Sequence, residues 1–223
     1  MPGSATRRLS GMFNRISNEI TEEKDRLTAL DGAIGDADHG ITMSLGFMAV
    51  TSELARIDLD HTLPSAVFRI AASAFLNAVG ASTGPLYATA FLRAAQALEK
   101  DERLSLADQA AVVEAMTAGI QQRGKGQLGD KTMLDAWIPA ADAAMGARAR
   151  DAGASEMWSS IVEAAETGAN ATRSMVAARG RAARLGERSL GHMDPGAASA
   201  VIILRAMMKT FASENSREQV FPS

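Results

Sequence analysis

Apolar residues recur along this chain at the three- and four-residue spacing of a helix, and no stretch sustains the two-residue alternation of a half-buried strand. Leu9, Met12, Phe13, Ile16 and Ile20 share one face with charges opposite, predicting a first helix over about residues 5–27. The same reading predicts seven more, over about residues 41–56, 63–78, 85–100, 106–121, 132–150, 155–172 and 196–212. Pro64 suits a first helical turn, whereas Pro139 lies inside the sixth helix and should kink it. The polar tail from about residue 213 should be frayed. The expectation is an all-α chain forming a single domain over residues 1–223, a length that supports one full core.

The unusual residues are not spread evenly over the connections. The first, third, fifth and seventh links hold an acidic cluster, a Gly-Ser-Thr turn, a Gly-Lys stretch and an Arg/His/Asp segment, while the alternate links are ordinary polar joints. Short connections favour antiparallel neighbours, so alternate links fall at the same end of a bundle. One end should therefore carry the chemistry and the other should be structural.

The first link is the densest. Asp31, Asp36 and Asp38 are packed with His39 among Gly32, Gly35 and Gly40, and no Lys or Arg stands between Arg26 and Arg56. Such a set repels itself unless cations join it. Because each glycine costs a helix interior about 1 kcal/mol relative to Ala, all three acids are expected on a loop. An oxygen-rich set with one imidazole suits a hard divalent cation such as Mg²⁺, whose remaining positions are commonly filled by water and phosphate oxygens. A calcium-binding EF-hand loop fails, since counting from Asp36 puts Ile41 where Gly belongs and Phe47 where a bidentate acid belongs. Turn formation and helix capping by the same aspartates stay open at this point.

In the third link, Ser82 and Thr83 precede Gly84-Pro85, where a helix N-terminus could bind phosphate or simply carry a hydroxyl cap. In the fifth, Gly119 through Gly124-Lys125 approaches a phosphate-binding loop, but Gly126 replaces the required Ser or Thr and no strand precedes it. What remains is a basic loop leading to Asp130, a candidate cap for the next helix. In the seventh, Arg179, Arg181, Arg184 and Arg188 could face phosphate, although Glu187 and Asp194 could neutralise part of that charge. His61 falls in an ordinary link and is expected at the surface. A Ser/His/Asp hydrolase assembled from Ser82, His39 or His192 and Asp194 is conceivable, but it lacks a nucleophile elbow and leaves the acidic cluster unexplained.

Composition narrows the partners. Lys and Arg number 23 against 26 Asp and Glu, interspersed to a net charge of -3, and aromatics are only 4%. That gives neither a basic face nor stacking platforms for nucleic acid. The absence of Cys removes disulfides, thiolate metal sites and a thiol nucleophile. With no signal-peptide core in the opening residues and no apolar run of spanning length, a soluble cytoplasmic protein without a membrane partner is expected.

Four separated motifs then converge on one family: Leu30-Asp31 with Ile34-Gly35-Asp36 and Asp38-His39-Gly40; Gly84-Pro85-Leu86-Tyr87; Gly129-Asp130-Lys131-Thr132-Met133 with Asp135; and Gly180-Arg181-Ala182 with Leu185-Gly186-Glu187-Arg188-Ser189 and Gly191-His192, Asp194-Pro195-Gly196-Ala197. In this order they resemble the nucleotide-binding L subunit of dihydroxyacetone kinases. The resemblance implies an antiparallel eight-helix barrel holding ADP or ATP at one end through two Mg²⁺ ions. It puts Asp31, Asp36 and Asp38 at metal-ligand positions and His39, Gly40, Thr42, Ser82, Thr83, Gly124, Met133, Arg181 and Asp194 at nucleotide positions. Arg181 and His39 would act on the transferring phosphoryl group. Ala37 stands where the motif usually has Gly, and Ala81-Ser82-Thr83 replaces a commoner Gly-Ala-Ser. The resemblance further implies a separate sugar-binding K subunit, a short ketose as substrate, and either exchangeable ATP or bound ADP recharged by a phosphotransferase-system protein; a homodimer is compatible with it. A nucleotide-loaded regulatory module and a Mg²⁺-dependent phosphohydrolase are the rival readings.

Overall fold

The computed structural model describes residues 2–80, 82–99 and 103–212. Among the described residues there are nine α-helices and no strand: α1 (Pro2–Glu22), α2 (Lys24–Ile34), α3 (His39–Leu54), α4 (Pro64–Ala78), α5 (Thr83–Ala97), α6 (Leu106–Gly124), α7 (Leu134–Ala149), α8 (Ala154–Ala171) and α9 (Pro195–Phe211). Short 3₁₀ segments, Thr172–Ser174 and Ala182–Ser189, lie between α8 and α9. The expected tail from about residue 213 and the link residues Asp101 and Glu102 fall outside the described residues.

The all-α expectation holds, but the count of eight is corrected at the start of the chain. The first helix is interrupted at Glu23 and resumes as α2, which runs to Ile34, so Asp31 and Gly32 are helical and only Asp36 and Asp38 of the three acids sit on a loop. Leu27, Asp31 and Ile34 form the buried face of α2. Burying Leu and Ile stabilises by about 1.5–3 kcal/mol each, which outweighs the roughly 1 kcal/mol helix penalty of Gly32.

Packing follows chain order. α1 lies on α3, each helix from α3 to α8 on the next, and α9 on both α8 and α1, so the sequence of contacts closes on itself; α2 rests against α3 and α9. Five phenylalanines and Tyr87 fill one half of the interior. Phe91 of α5 is their hub, meeting Phe13 at 5.5 Å and Phe75 at 5.9 Å edge-on. The other half holds buried alanines of α7 and α8 and Trp158, whose indole N–H donates to Gln109 at 2.8 Å and whose ring stacks on Phe211.

Small residues set two of the close approaches. α7 continues through Pro139, which has no N–H to offer the Asp135 carbonyl, and Gly168 of α8 lies directly against that oxygen. Gly46 of α3 lies against the ring of Phe75, where an added Cβ would collide with Cε2 and Cδ2. At Gly11 of α1, by contrast, a Cβ meets nothing within 4 Å. Gly46→Ala should therefore destabilise by about 1–3 kcal/mol through overpacking, whereas Gly11→Ala should stabilise by about 0.5–1 kcal/mol through helix propensity. Denaturant unfolding of the pair checks this, and a Gly46→Ala variant at least as stable as Gly11→Ala would contradict the packing.

Candidate functional site

The four unusual links meet at one cavity of about 870 Å³. Asp31, Asp36, Asp38, His39, Thr42, Ser82, Thr83, Gly124, Met133, Arg181 and Asp194, eleven of the expected site residues, line it. Gly40 does not. It faces α2, where a Cβ would strike the Lys24 carbonyl and Thr28, so its place in the structure is a packing one. Lys125 borders a smaller neighbouring hollow with Arg93 and Arg123 instead. His61 is exposed and paired with Asp58, as expected of an ordinary link.

The acidic cluster is assembled by the end of α2 and the start of α3. One carboxylate oxygen each from Asp31, Asp36 and Asp38 lies within 4.8 Å of the others. Asp31 is buried and its Oδ2 accepts from the backbone N–H of Asp38 at 2.9 Å and of His39 at 3.2 Å, which fastens the loop to the helix before it. Gly35 makes that possible because a Cβ there would collide with the Asp31 carboxylate. Ala37 takes a left-handed φ of 61°, which explains why glycine suits that position and marks a strained turn that holds Asp36 and Asp38 side by side. The Arg181 guanidinium pairs with Asp36 and stands 3.7 Å from Asp38. Three converging oxygens with a cationic side chain drawn onto them are the donor set a hard divalent cation takes, with positions left over for other oxygen ligands.

Helix ends supply the rest of the wall. α3 and α5 begin at His39 and Thr83 without a side-chain cap, so the hydroxyl cap considered for Ser82 is absent. Gly84 permits the tight entry to α5, since a Cβ would strike the Val79 carbonyl. Asp130 does not cap α7 either. It accepts from Gln127 N–H at 3.0 Å and from Arg179 Nε at 2.5 Å, while Asp135 inside α7 reaches back to the N–H groups of Gly129 and Thr132. Leu86, Ile120, Met133, Leu134 and Pro195 add apolar side chains to the cavity lining.

Sequence reasoning missed Lys131 and Ser199. Lys131 is 1% exposed, and Nζ donates to the carbonyls of Thr172 at 2.6 Å and His192 at 2.5 Å. Ser199 donates to the Gly196 carbonyl at 3.0 Å, which leaves its oxygen to accept from His39 Nε2 at 2.9 Å. His39 is thus tied to Ser199 and not to Ser82, so the hydrolase triad is not assembled. A Lys in the polar stretch Gly129-Asp130-Lys131-Thr132 carried no signal of burial; its contact partners are 41 and 61 positions away.

Burial controls the titrations. It holds the His39 imidazole down at about 4, with Asp31 pulling the other way, so the ring is neutral at pH 7. Burial also pushes the Asp194 carboxyl up to about 7, against the N–H of Ala197 that favours its charged form. Lys131 is lowered by burial, and the charge of Asp194 opposes that.

With this geometry in place, the comparisons are specific. Residues 33–209 match the family model described as the DAK2 domain. The chain belongs to the DAK2 domain family. It is 34% identical over 190 residues, 85% of this chain and 88% of the relative, to the PEP-dependent dihydroxyacetone kinase 2, ADP-binding subunit DhaL, of Listeria innocua. It is 36% identical over 196 residues, 87% and 92% of the two chains, to the PEP-dependent dihydroxyacetone kinase, ADP-binding subunit DhaL, of Escherichia coli. The crystal structure of the dihydroxyacetone kinase from C. freundii in complex with AMP-PNP and Mg²⁺ superimposes with a TM-score of 0.67 at 26% identity, over 90% of this DAK2 chain. This chain spans about a third of the length of that kinase, 33%. No described helix is long and apolar enough to cross a membrane.

The Asp194 titration has a stability consequence with a fixed sign. Its folded-state value near 7 lies above the ordinary carboxylate value of 3.8, so between those limits the folded state binds more protons and stability falls as pH rises. Asp194→Asn keeps an acceptor for the Ala197 N–H but does not titrate. The stability of this variant relative to wild type should therefore improve between pH 5 and pH 8, read by thermal unfolding; a difference that does not change with pH would contradict the assignment.

Proposed function

We propose that this chain is the nucleotide-binding, phosphoryl-transferring subunit of a dihydroxyacetone-type kinase, a single domain that works with a separate sugar-binding K subunit. The observation that carries the reading is the convergence of Asp31, Asp36 and Asp38 with Arg181 on one lip of a cavity walled by all four motif-bearing links. The similarity to ADP-binding subunits of dihydroxyacetone kinases supports it over a regulatory module or a phosphohydrolase.

Asp31, Asp36 and Asp38 would hold two Mg²⁺ ions. Bound there, these ions supply charge neutralisation of the polyphosphate and of the bridging oxygen that gains charge as the phosphoryl group leaves. The uncapped first turns of α3 and α5, with Thr42, Ser82 and Thr83, offer N–H and hydroxyl donors to phosphate oxygens. Leu86, Ile120, Met133 and Pro195, with Gly124 and Asp194 in the same lining, offer the base apolar contacts. Arg181 is the catalytic cation of this set, able to follow charge that develops on the phosphoryl oxygens. His39, neutral and bonded to Ser199, holds the start of α3 in place and does not serve as a proton donor at neutral pH.

Transfer needs the acceptor hydroxyl held in line with the phosphoryl group, and proximity of that kind is what the K subunit would contribute. The substrate would be a short ketose. The donor would be ATP or a bound ADP recharged by a phosphotransferase-system protein, and the setting the cytoplasm.

Alone with nucleotide, Mg²⁺ and dihydroxyacetone, the chain should turn over negligibly. With a dihydroxyacetone-binding K subunit and either ATP or a phosphorylated relay protein, it should produce the ketose phosphate. Arg181→Ala should lower that transfer by about 100-fold while leaving nucleotide retention within about threefold. Transfer by the single chain at the rate of the mixture would refute the half-enzyme reading, and release of phosphate from nucleotide by the chain alone would favour the phosphohydrolase.

A further inference from the structure

The segment between α8 and α9 runs from Thr172 to Asp194 without an α-helix, yet it carries Arg181, Arg179 and Asp194 to the cavity. Long irregular segments of this kind need a fastening if a charged side chain is to keep one position. Here the two ends are brought together as a neck. The Gly191 N–H donates to the Arg173 carbonyl at 2.8 Å, and the Asp194 N–H donates to the Thr172 hydroxyl at 3.0 Å.

Lys131 closes that neck from outside the segment. Its Nζ donates to the carbonyl of Thr172 on one arm of the segment and to that of His192 on the other, and its side chain is almost fully buried. Its backbone takes a left-handed φ of 59°, a strained conformation for a Lys, which turns the side chain under the neck. The preceding residue grips the middle of the same segment, with the Asp130 carbonyl accepting from Ala178 N–H at 3.1 Å and its carboxylate from Arg179. An apolar side chain of similar length would fill the space without burying a charge, so the ammonium is not needed for packing. Its contribution is to hold two carbonyls, one from each arm of the segment, at fixed separation.

We infer that Lys131 is a positioning residue for phosphoryl transfer, clamping the neck of the 172–194 segment so that Arg181 is delivered to the acidic cluster. The assignment rests on the proposed function of this cavity. Lys131 acts through Arg181, so the losses caused by the two residues are not independent.

A double-mutant cycle tests this in the two-subunit mixture, with Lys131→Met, Arg181→Ala and the double variant. Lys131→Met should lower kcat by about tenfold or more with the nucleotide KM within about threefold, as displacement of a positioned group does. The double variant should lose no more than Arg181→Ala alone. Losses that multiply, or a folded Lys131→Met with wild-type kcat, would overturn the assignment. If Lys131→Met does not fold, Lys131→Gln, which keeps one donor, is read in the same cycle with the same outcomes. Tryptic cleavage after Arg179 and Arg181 gives a second readout, expected to be faster in the Lys131 variant than in wild type; an unchanged rate contradicts the clamp. A wild-type chain that retains no nucleotide would defeat the proposed function, whereas nucleotide retention with independent losses would defeat only the role of Lys131.

Discussion

Like charges set the terms of this structure. Three carboxylates within 4.8 Å of one another repel, and the chain brings a compensating positive charge from far away in sequence, through Arg181. Much else follows from keeping that pair of opposites in register. Asp31 is built into the last turn of α2 and accepts two backbone N–H groups, Gly35 leaves room for its carboxylate, and the strained Ala37 turn folds Asp36 and Asp38 toward it. On the opposing side, the irregular segment that bears Arg181 is tied to the α6–α7 connection by Asp130 and Lys131. The acids are held rigidly by local structure, whereas the cation is held by long-range contacts.

The closed order of helix packing explains how four links so distant in sequence come to share one cavity. Each antiparallel pair of helices returns the chain to the same end, and α9 meets α1 so that the last motif stands beside the first. The core that supports this is uneven in character. Edge-on phenylalanines around Phe91 fill the side of α1 and α3–α5, while small buried alanines line α7 and α8. Asp135, buried inside α7, accepts from the N–H groups of Gly129 and Thr132 and so fixes the connection that carries Lys131 and Met133 to the cavity wall.

Helical periodicity and the alternation of plain and unusual links were legible from residues alone, because both depend on local pattern. The helix boundaries near the site were less so. Gly32 reads as a breaker, but the burial of Leu27 and Ile34 carries α2 past it, and α3 starts at His39, two residues before its apolar pattern announces it. Asp36 and Asp38 were visible because unpaired charge among glycines is costly without a purpose, whereas Arg181 was set apart from its neighbouring arginines only by the family resemblance. Gly40, placed on the phosphate-side segment by the resemblance, packs its Cα against α2, which the sequence did not announce, since a glycine gives no sign of which neighbour needs its missing side chain. Lys131 and Ser199 could not be found by pattern at all, for their roles are created by partners brought near only when the chain folds.

The central claim is that the acidic cluster of this DAK2 chain holds nucleotide through divalent cations. Calorimetric titration of ADP into the purified chain, with Mg²⁺ and with a chelator, tests it most directly when repeated on Asp36→Ala and Asp38→Ala. The account predicts binding by the wild-type chain that requires Mg²⁺ and is lost in both variants, together with loss of the nucleotide-dependent rise in melting temperature. Nucleotide affinity that is unchanged by the chelator or by either substitution would contradict it.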